Sequence, residues 1–270
     1  MIRAPLSTTS VIDEAADVVA ATAAPWAGVL MITSIPYRFL QALFLDQLAE
    51  TGSDAAQYGN LLGATANMIV LTTLVALWGR AVYARACSLA MARGRITGRE
   101  PLRIRPAAFA CYVLTASAAM LFGWISIFTI FGFVVAVMFA GIALGTFELN
   151  ERVSVTAPFS LIFRYTKRVG IPLALVFVFF VAMLIAALNL MFAFQLVTWL
   201  AGAIGGFDAP NWQVLFSPSN RRFWFVLFAG AIVIVEPFWV AAHVIYVRKA
   251  GAEESGDDLR AWFHELKEAS

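Results

Sequence analysis

Charge is scarce in this chain. Asp, Glu, Lys and Arg make up 13% of its 270 residues, against roughly 25% in soluble globular domains. The shortage excludes an intrinsically disordered chain, which is rich in charge and poor in apolar residues. It also excludes a nucleic-acid binder, which needs a dense basic face. Two cysteines, Cys87 and Cys111, are too few for a disulfide framework and read as free thiols. Two histidines, His243 and His264, cannot build a histidine-rich metal centre. His264-Glu265 opens like a zinc-protease motif, but no second His follows four residues after the first. There is no Gly-x-Ser-x-Gly elbow, and the cluster Gly202, Gly205, Gly206 precedes no phosphate-binding Lys. The expectation is a protein without catalytic residues, metal ligands or cofactor.

What the chain does have is apolar surface. Hydrophobic residues are 61% of it, and its mean hydropathy is +0.80. Too little polar surface remains to keep a globule of this size in water, so lipid must be the solvent for much of it. A bilayer core about 30 Å thick needs roughly 20 apolar residues per helix. Six stretches qualify. They are Trp26 to Phe44, Leu61 to Trp78, two within the block Ala107 to Phe147 with a turn near Phe131-Gly132, Ile171 past Leu190 toward Leu200, and Phe223 to Val247. The N-terminus does not read as a cleaved signal. Ser7 to Ser10 and then Asp13, Glu14 and Asp17 stand where a signal would be apolar, so the first span is expected to act as the insertion signal.

The charges then orient the spans, because cytoplasmic loops are enriched in Lys and Arg. Arg80, Arg85, Arg93, Arg95, Arg99, Arg103 and Arg105 follow span two, and Arg152, Arg164, Lys167 and Arg168 follow span four. Arg248, Lys249, Arg260 and Lys267 lie in the tail, and Arg3 in the head. Sixteen of the nineteen basic residues therefore share one side. Arg221 and Arg222 face the other side, whose first loop carries Asp46, Glu50 and Asp54. Six spans put both termini on the basic side. Trp199, Trp212 and Trp224 mark the outer interface and Trp26, Trp78, Tyr165 and Tyr246 the inner one, where amphipathic rings settle.

Three segments on the basic side read as amphipathic helices. Ser10 with Asp13 reads as the N-cap pair of a helix presenting Val11, Ala15, Val18 and Val19. Thr156 to Val169 mixes Phe159, Ile162, Phe163 and Tyr165 with Arg164, Lys167 and Arg168, as a helix in the headgroup layer would. In the tail, Leu259, Trp262, Phe263 and Leu266 stand at i, i+3, i+4, i+7 behind Asp257 and Asp258. That helix reads either as a partner's docking site or as a helix lying on the protein's own face or on lipid. The expected organisation is a six-helix transmembrane domain over residues 1–250 with an N-terminal amphipathic helix, and a cytoplasmic amphipathic tail over 251–270.

Four places together carry a family resemblance. They are the helix Val11–Ala21 leading to Ile35-Pro36, and Arg85–Arg95, read as a small-residue, arginine-rich helix after span two. The others are Phe147-Glu148-Leu149 with Phe159 to Arg164 after it, and Glu236-Pro237 with Tyr246-Val247-Arg248 and then Asp258-Leu259. This order resembles a group of bacterial six-helix membrane proteins that includes the membrane domain attached to some glycerophosphodiester phosphodiesterases. In that group a Glu closes span four, a helix follows, and the last span ends near Tyr-x-x-x-Arg with Asp-Leu soon after. Here Tyr246 and Arg248 are two apart and the Asp-Leu comes later. The resemblance implies fold and membrane location. Nothing in the chain looks like the attached catalytic domain, so it implies no phosphodiesterase activity. For Glu148 it leaves two readings, interfacial solvation or a cytoplasmic gate or partner contact, the latter with Arg248 and Trp262.

Polar residues within the spans are the remaining candidates. A charge near the bilayer centre costs roughly 2.5–3.5 kcal/mol on insertion scales, so it has a partner or a task. Glu236 lies near the middle of span six, and Pro237 after it frees the carbonyl of Val233 and predicts a kink. His243 follows two turns along the same face. Arg38 lies in span one just after Pro36, within side-chain reach of Glu236 in depth. Arg38, Glu236 and His243 read either as the lining of a cavity that meets a substrate or proton, or as a buried pair that holds the bundle. Arg38 alone could also snorkel to headgroups. Gly141 and Gly145 form a Gly-x-x-x-Gly that lets helices approach closely.

The sequence therefore predicts an all-α, polytopic protein of the bacterial inner (cytoplasmic) membrane with both termini cytoplasmic. The first function expected is a non-catalytic scaffold, anchor or regulator of an envelope-associated system, in contact with anionic lipid at the cytoplasmic face and with a membrane or cytoplasmic protein partner. The alternative is a small transporter or lipid-handling protein with a polar mid-membrane cavity.

Overall fold

The computed structural model describes residues 6–50, 55–94, 96, 98–125, 129–150, 154–205, 217 and 219–255. Among these residues there are eight α-helices and no strand. They are α1 (Thr8–Thr22), α2 (Gly28–Glu50), α3 (Ala55–Arg93), α4 (Pro106–Ile125), α5 (Ile130–Thr146), α6 (Ala157–Tyr165), α7 (Gly170–Gly205) and α8 (Arg221–Ser255).

Local chemistry sets the boundaries. The cap of α1 is Ser7 rather than Ser10. Ser10 N donates to Ser7 Oγ, Ser7 N donates to Ser10 Oγ, and Ser10 Oγ donates to the Ser7 carbonyl. This is a capping box with serine in the third position, which the Ser10–Asp13 reading placed three residues late. Between α1 and α2 the chain makes one π-helical turn over Ala23–Ala27. Pro25 inside it has no N–H to continue the regular ladder. Helix α3 runs for 39 residues, so Arg85 to Arg93 continues span two instead of forming a separate helix. No Pro or Gly interrupts it between Gly79 and Gly94. It stops at Gly94, whose φ of +70° suits a residue without a Cβ and whose N–H meets the Ala90 carbonyl at 2.8 Å.

The long apolar block divides into α4 and α5, which pack on one another. The break comes before Phe131-Gly132. Thr129 is extended (φ −121°, ψ 115°), and Phe133 N bonds its carbonyl, so both expected turn residues sit in the first turn of α5. Helix α8 continues through Pro237 for 35 residues.

Six helices are long and apolar enough to cross a membrane: Pro25–Ala49, Leu61–Arg93, Pro106–Gly123, Phe131–Leu149, Gly170–Ile204 and Arg221–Ser255. Their outer faces are consistent with lipid as solvent. Met68, Val70, Leu71, Phe177, Phe192 and Val197 are all exposed, and a water-soluble monomer rarely carries apolar surface of that extent.

The chain forms two compact units. One comprises Met1–Gly28, Arg80–Val178 and Pro237–Ser270, the other Val29–Gly79 and Phe179–Glu236. The first unit is built on small residues. Ala81, Ala84, Ala86 and Ala90 of α3 are buried, with Ile142 and Leu144 of α5 and Ile245 and Tyr246 of α8. Small side chains let membrane helices approach closely enough for dispersion contacts to hold them. Thr22 and Tyr83 join α1 to α3 by a buried hydroxyl–hydroxyl hydrogen bond of 2.9 Å, and Val11 and Ala15 supply the buried face of α1. The second unit is centred on Ala187, Phe223, Leu227 and Ala231, with Met183, Leu190 and Phe194 against them. There the Thr33 side chain fills the space where a Cβ on Gly79 would stand, so α2 and α3 meet at close range.

Candidate functional site

Arg38 and Glu236 meet in the second unit. Glu236 is 2% exposed, and its Oε1 lies 3.5 Å from Arg38 Nη2. Arg38 is held from its own helix. Nη1 donates to Gln41 Oε1 at 3.1 Å, Gln41 Nε2 donates to the Tyr37 hydroxyl at 2.7 Å, and the guanidinium lies 5.2 Å from the Tyr37 ring centroid. Residues 37, 38 and 41 share a face because three and four residues make about one helical turn. The result is an overall neutral cluster in which a buried carboxylate has its counter-ion. Arg38 Nε has no hydrogen-bond partner among the described residues.

His243 is not part of that cluster. It belongs to the first unit, where it is fully buried and rests on Gly141. Its Nδ1 is 3.0 Å from the Trp239 carbonyl. A carbonyl only accepts, so Nδ1 carries the proton. Its Nε2 has no hydrogen-bond partner among the described residues. The ring centroids of His243 and Trp239 are 3.8 Å apart. Gly141 and Gly145 serve this contact. A Cβ on Gly141 would strike the imidazole, and one on Gly145 would come within 2.6 Å of both the His243 carbonyl oxygen and Val247 Cγ2.

Glu148 lies in the 3-10 turn Phe147–Leu149 after α5. Its Oε1 accepts from Arg85 Nη1 at 2.8 Å, and its carbonyl accepts from Arg105 Nη2. Arg248 is exposed on α8, and Trp262, with the rest of the segment expected to form an amphipathic tail helix, lies outside the described residues. The first unit holds further ion pairs that sequence reading missed. Lys249 Nζ is 2.6 Å from Glu14 and 3.3 Å from Ser10 Oγ, which ties α8 to α1. Arg164 pairs with Glu254, and Arg168 with Glu253, whose Oε1 also accepts from Leu6 N. The Tyr246 hydroxyl donates to the Tyr165 carbonyl at 2.5 Å. Burial raises the pKa of the Tyr165 hydroxyl, while Arg164 lowers it and Glu254 raises it. The only available signal for these pairs was that acids and bases fall on the same predicted side.

A second feature of the second unit was also missed. Asn220 caps α8, its side chain accepting from Arg222 N at 3.0 Å. This places Arg221 and Arg222 in the first helical turn, where the helix dipole disfavours cations by roughly 0.3–1 kcal/mol each. Asp46, buried near the end of α2, offsets that cost. Arg221 Nε and Nη2 reach its Oδ1 at 3.1 and 3.0 Å, and Arg222 Nε reaches Oδ2 at 2.8 Å. Beside this triad is a cavity of about 460 Å³. Its apolar wall is Phe39, Ala42 and Leu43 of α2, Leu61 of α3, and Phe225 and Val226 of α8. Asp46, Gln47 and Arg222 line it as well.

These observations define a class, that of all-α multi-pass membrane proteins with six spanning helices. Compared with protein-family models, with curated proteins and with solved structures, the chain matches none.

Proposed function

We propose that the chain is a non-catalytic anchor or regulator in the bacterial inner membrane, with both termini in the cytoplasm. The observation that carries this reading is the closed state of its mid-span charges: Glu236 is 2% exposed and faces Arg38. A carrier of protons or solutes needs such a carboxylate reachable from one side. A second support is the ion-paired end of the first unit. There Glu14, Glu148, Glu253 and Glu254 fix basic residues of α3, α6 and α8 and of the turn after α6. Arg99, Arg103, Arg105 and Lys167 are exposed beside them, and such a set of cations meets anionic lipid or an acidic partner. In this reading Glu148 positions Arg85 and Arg105 rather than gating a pathway.

The second reading, a small transporter or lipid-handling protein, draws on Arg38 Nε and the polar Tyr37–Gln41 pair beside it. One experiment separates the two. A photo-crosslinking residue is placed at Phe163 or Lys167, with Phe192 as the lipid-facing comparison, and the cells are irradiated. The expected result is a discrete protein adduct from the first two positions and none from Phe192. No adduct at any position, together with labelling of Glu236 in the wild-type chain by an apolar carbodiimide and its protection by a solute, would favour transport.

A further inference from the structure

We propose that the outer face of α6 is the docking site of the chain's own tail, residues 256–270, with Asp258 on Lys167, Trp262 on Phe163 and Leu266 on Phe159. The tail itself lies outside the described residues, and the face that receives it does not. The proposal goes beyond the function given above, because it concerns the chain without any partner. A partner that reaches this face in the cell has to displace the tail.

The first observation is the face. Pro158, Ile162 and Tyr165 are the buried side of α6 and hold it to the first unit. Phe159 and Phe163 stand four apart on another side, and Lys167 extends the line into the 3-10 turn Thr166–Arg168. Phe163 is 62% exposed and Lys167 is exposed as well. The Phe163 ring meets Phe139 of α5 edge-on, at 5.9 Å between centroids, which covers one edge of it.

The second is where the chain leaves. Glu254 Oε2 meets Arg164 Nε at 2.5 Å, and Glu253 pairs with Arg168. These pairs fix the last turn of α8 beside the end of α6, so the tail starts next to Lys167. Gly256 follows α8 directly, and glycine is the residue that most readily ends a helix and lets the chain reverse. A helix running back from there rises about 12 Å between Glu254 and Trp262. The nine residues of α6 occupy about 13 Å, so the reach matches the site.

The third is complementarity. Asp258, Trp262 and Leu266 stand four apart, in the reverse order of Lys167, Phe163 and Phe159. The acids Glu253 and Glu254 already meet Arg164 and Arg168, and Asp257 and Asp258 are the next acids of the chain. Lys167 lies between those two arginines. Over 256–270 the acids Asp257, Asp258, Glu265 and Glu268 outnumber the bases Arg260 and Lys267. That balance disfavours an anionic membrane surface as the tail's resting place and favours a basic protein face.

The test uses the full chain in phosphatidylcholine vesicles, carrying Phe163→Cys with Trp262→Cys and oxidised with copper phenanthroline. Cys87 and Cys111 are 0% and 1% exposed and stay silent. The expected result, read by peptide mass spectrometry, is an internal disulfide in most molecules. Phe131→Cys with Trp262→Cys should give none, since Phe131 is 78% exposed but lies about 12 Å along α5 from Phe139. Adding Lys167→Glu should slow the Phe163 disulfide at least fivefold, and Asp258→Lys on top of it should restore the rate. Equal yields from Phe131 and Phe163 mean unspecific collisions and overturn the site. A disulfide between two molecules makes the occupant a second copy of the chain and overturns it too. No disulfide, with Trp262→Cys reached by a bilayer-soluble maleimide and not by an impermeant one, puts the tail in lipid and also overturns it. A single symmetric gel-filtration peak establishes that each variant is folded. If Lys167→Glu fails this, Phe159→Cys with Leu266→Cys decides, its disulfide being expected and its absence overturning the register. Partner adducts in cells are a separate readout, so either proposal can fail without the other.

Discussion

At the scale of single residues, Arg38 and Glu236 are asymmetric, and the asymmetry is measurable. Glu236 is 2% exposed and its short side chain cannot leave the helix packing, whereas Arg38 is 22% exposed and has a long flexible stem. Arg38→Met strands a buried carboxylate, and the cost of breaking a buried pair in this way is about 3 kcal/mol or more. Glu236→Gln leaves an arginine that can still bond Gln41 and reach more polar surroundings, so the loss should be nearer about 1 kcal/mol. The double variant Arg38→Met with Glu236→Met should recover most of the stability, because an apolar pair of similar volume replaces a desolvated ion pair. Thermal midpoints of the three proteins in detergent test the order. A Glu236→Gln protein less stable than Arg38→Met, or a double variant no better than the worse single, would contradict the account. The two residues were legible in the sequence because a charge in an apolar run stands out. Their pairing followed from similar depth. The place of His243 did not follow: two turns of one helix align residues on a face, but they do not keep them in the same compact unit.

At the scale of elements, helix approach in the first unit rests on missing side chains. Gly141 and Gly145 of α5 receive His243 and Val247 of α8. Gly141→Ala drives a methyl into the buried imidazole and should lower stability by about 1–3 kcal/mol through overpacking. Gly59→Ala and Gly63→Ala, whose added Cβ would meet nothing within 4 Å, should instead be neutral or stabilising by roughly 0.5–1 kcal/mol. Combining Gly141→Ala with His243→Ala should remove the clash and return part of the loss. Equal thermal midpoints for Gly141→Ala and Gly59→Ala would mean that α5 and α8 do not pack as described. The glycine spacing was visible in the sequence, and its partner was not, because a small-residue motif states that something comes close without naming it. Boundaries behaved similarly. Hydropathy located all six spans, but α3 outlasts its apolar run by a helical arginine-bearing segment, and the α4–α5 break depends on the extended backbone of Thr129. Hydropathy does not read either feature. The Asp46 triad and the Lys249–Glu14 bridge were hidden for a related reason: net charge assigns residues to a side, and only folding assigns partners.

At the scale of the molecule, the proposal that both termini lie in the cytoplasm can be tested with the protein's own cysteines silent. Cys87 and Cys111 are 0% and 1% exposed, so an impermeant maleimide has little to react with in the native chain. Asp17, Arg103, Lys167 and Ser255 are exposed on elements of the first unit, and Ser219 is exposed ahead of α8. A single cysteine at each of the first four positions should resist the reagent in intact cells and react after permeabilisation. Cysteine at Ser219 should react in both cases. The ion pairs that neutralise part of the basic end do not weaken this expectation, because orientation follows the count of Lys and Arg near the spans and Asp and Glu contribute little. Replacing Glu14, Glu148 and Glu253 by Gln should therefore leave the labelling pattern as it is. Moving arginines should not: neutralising Arg93, Arg99, Arg103 and Arg105 while adding lysines beside Ser219 should produce a mixed population. Labelling of the four first-unit positions in intact cells, with Ser219 protected, would invert the protein. Labelling that differs between Asp17 and Ser255 would mean that the number of crossings between them is odd, and the six-span arrangement would then have to be replaced.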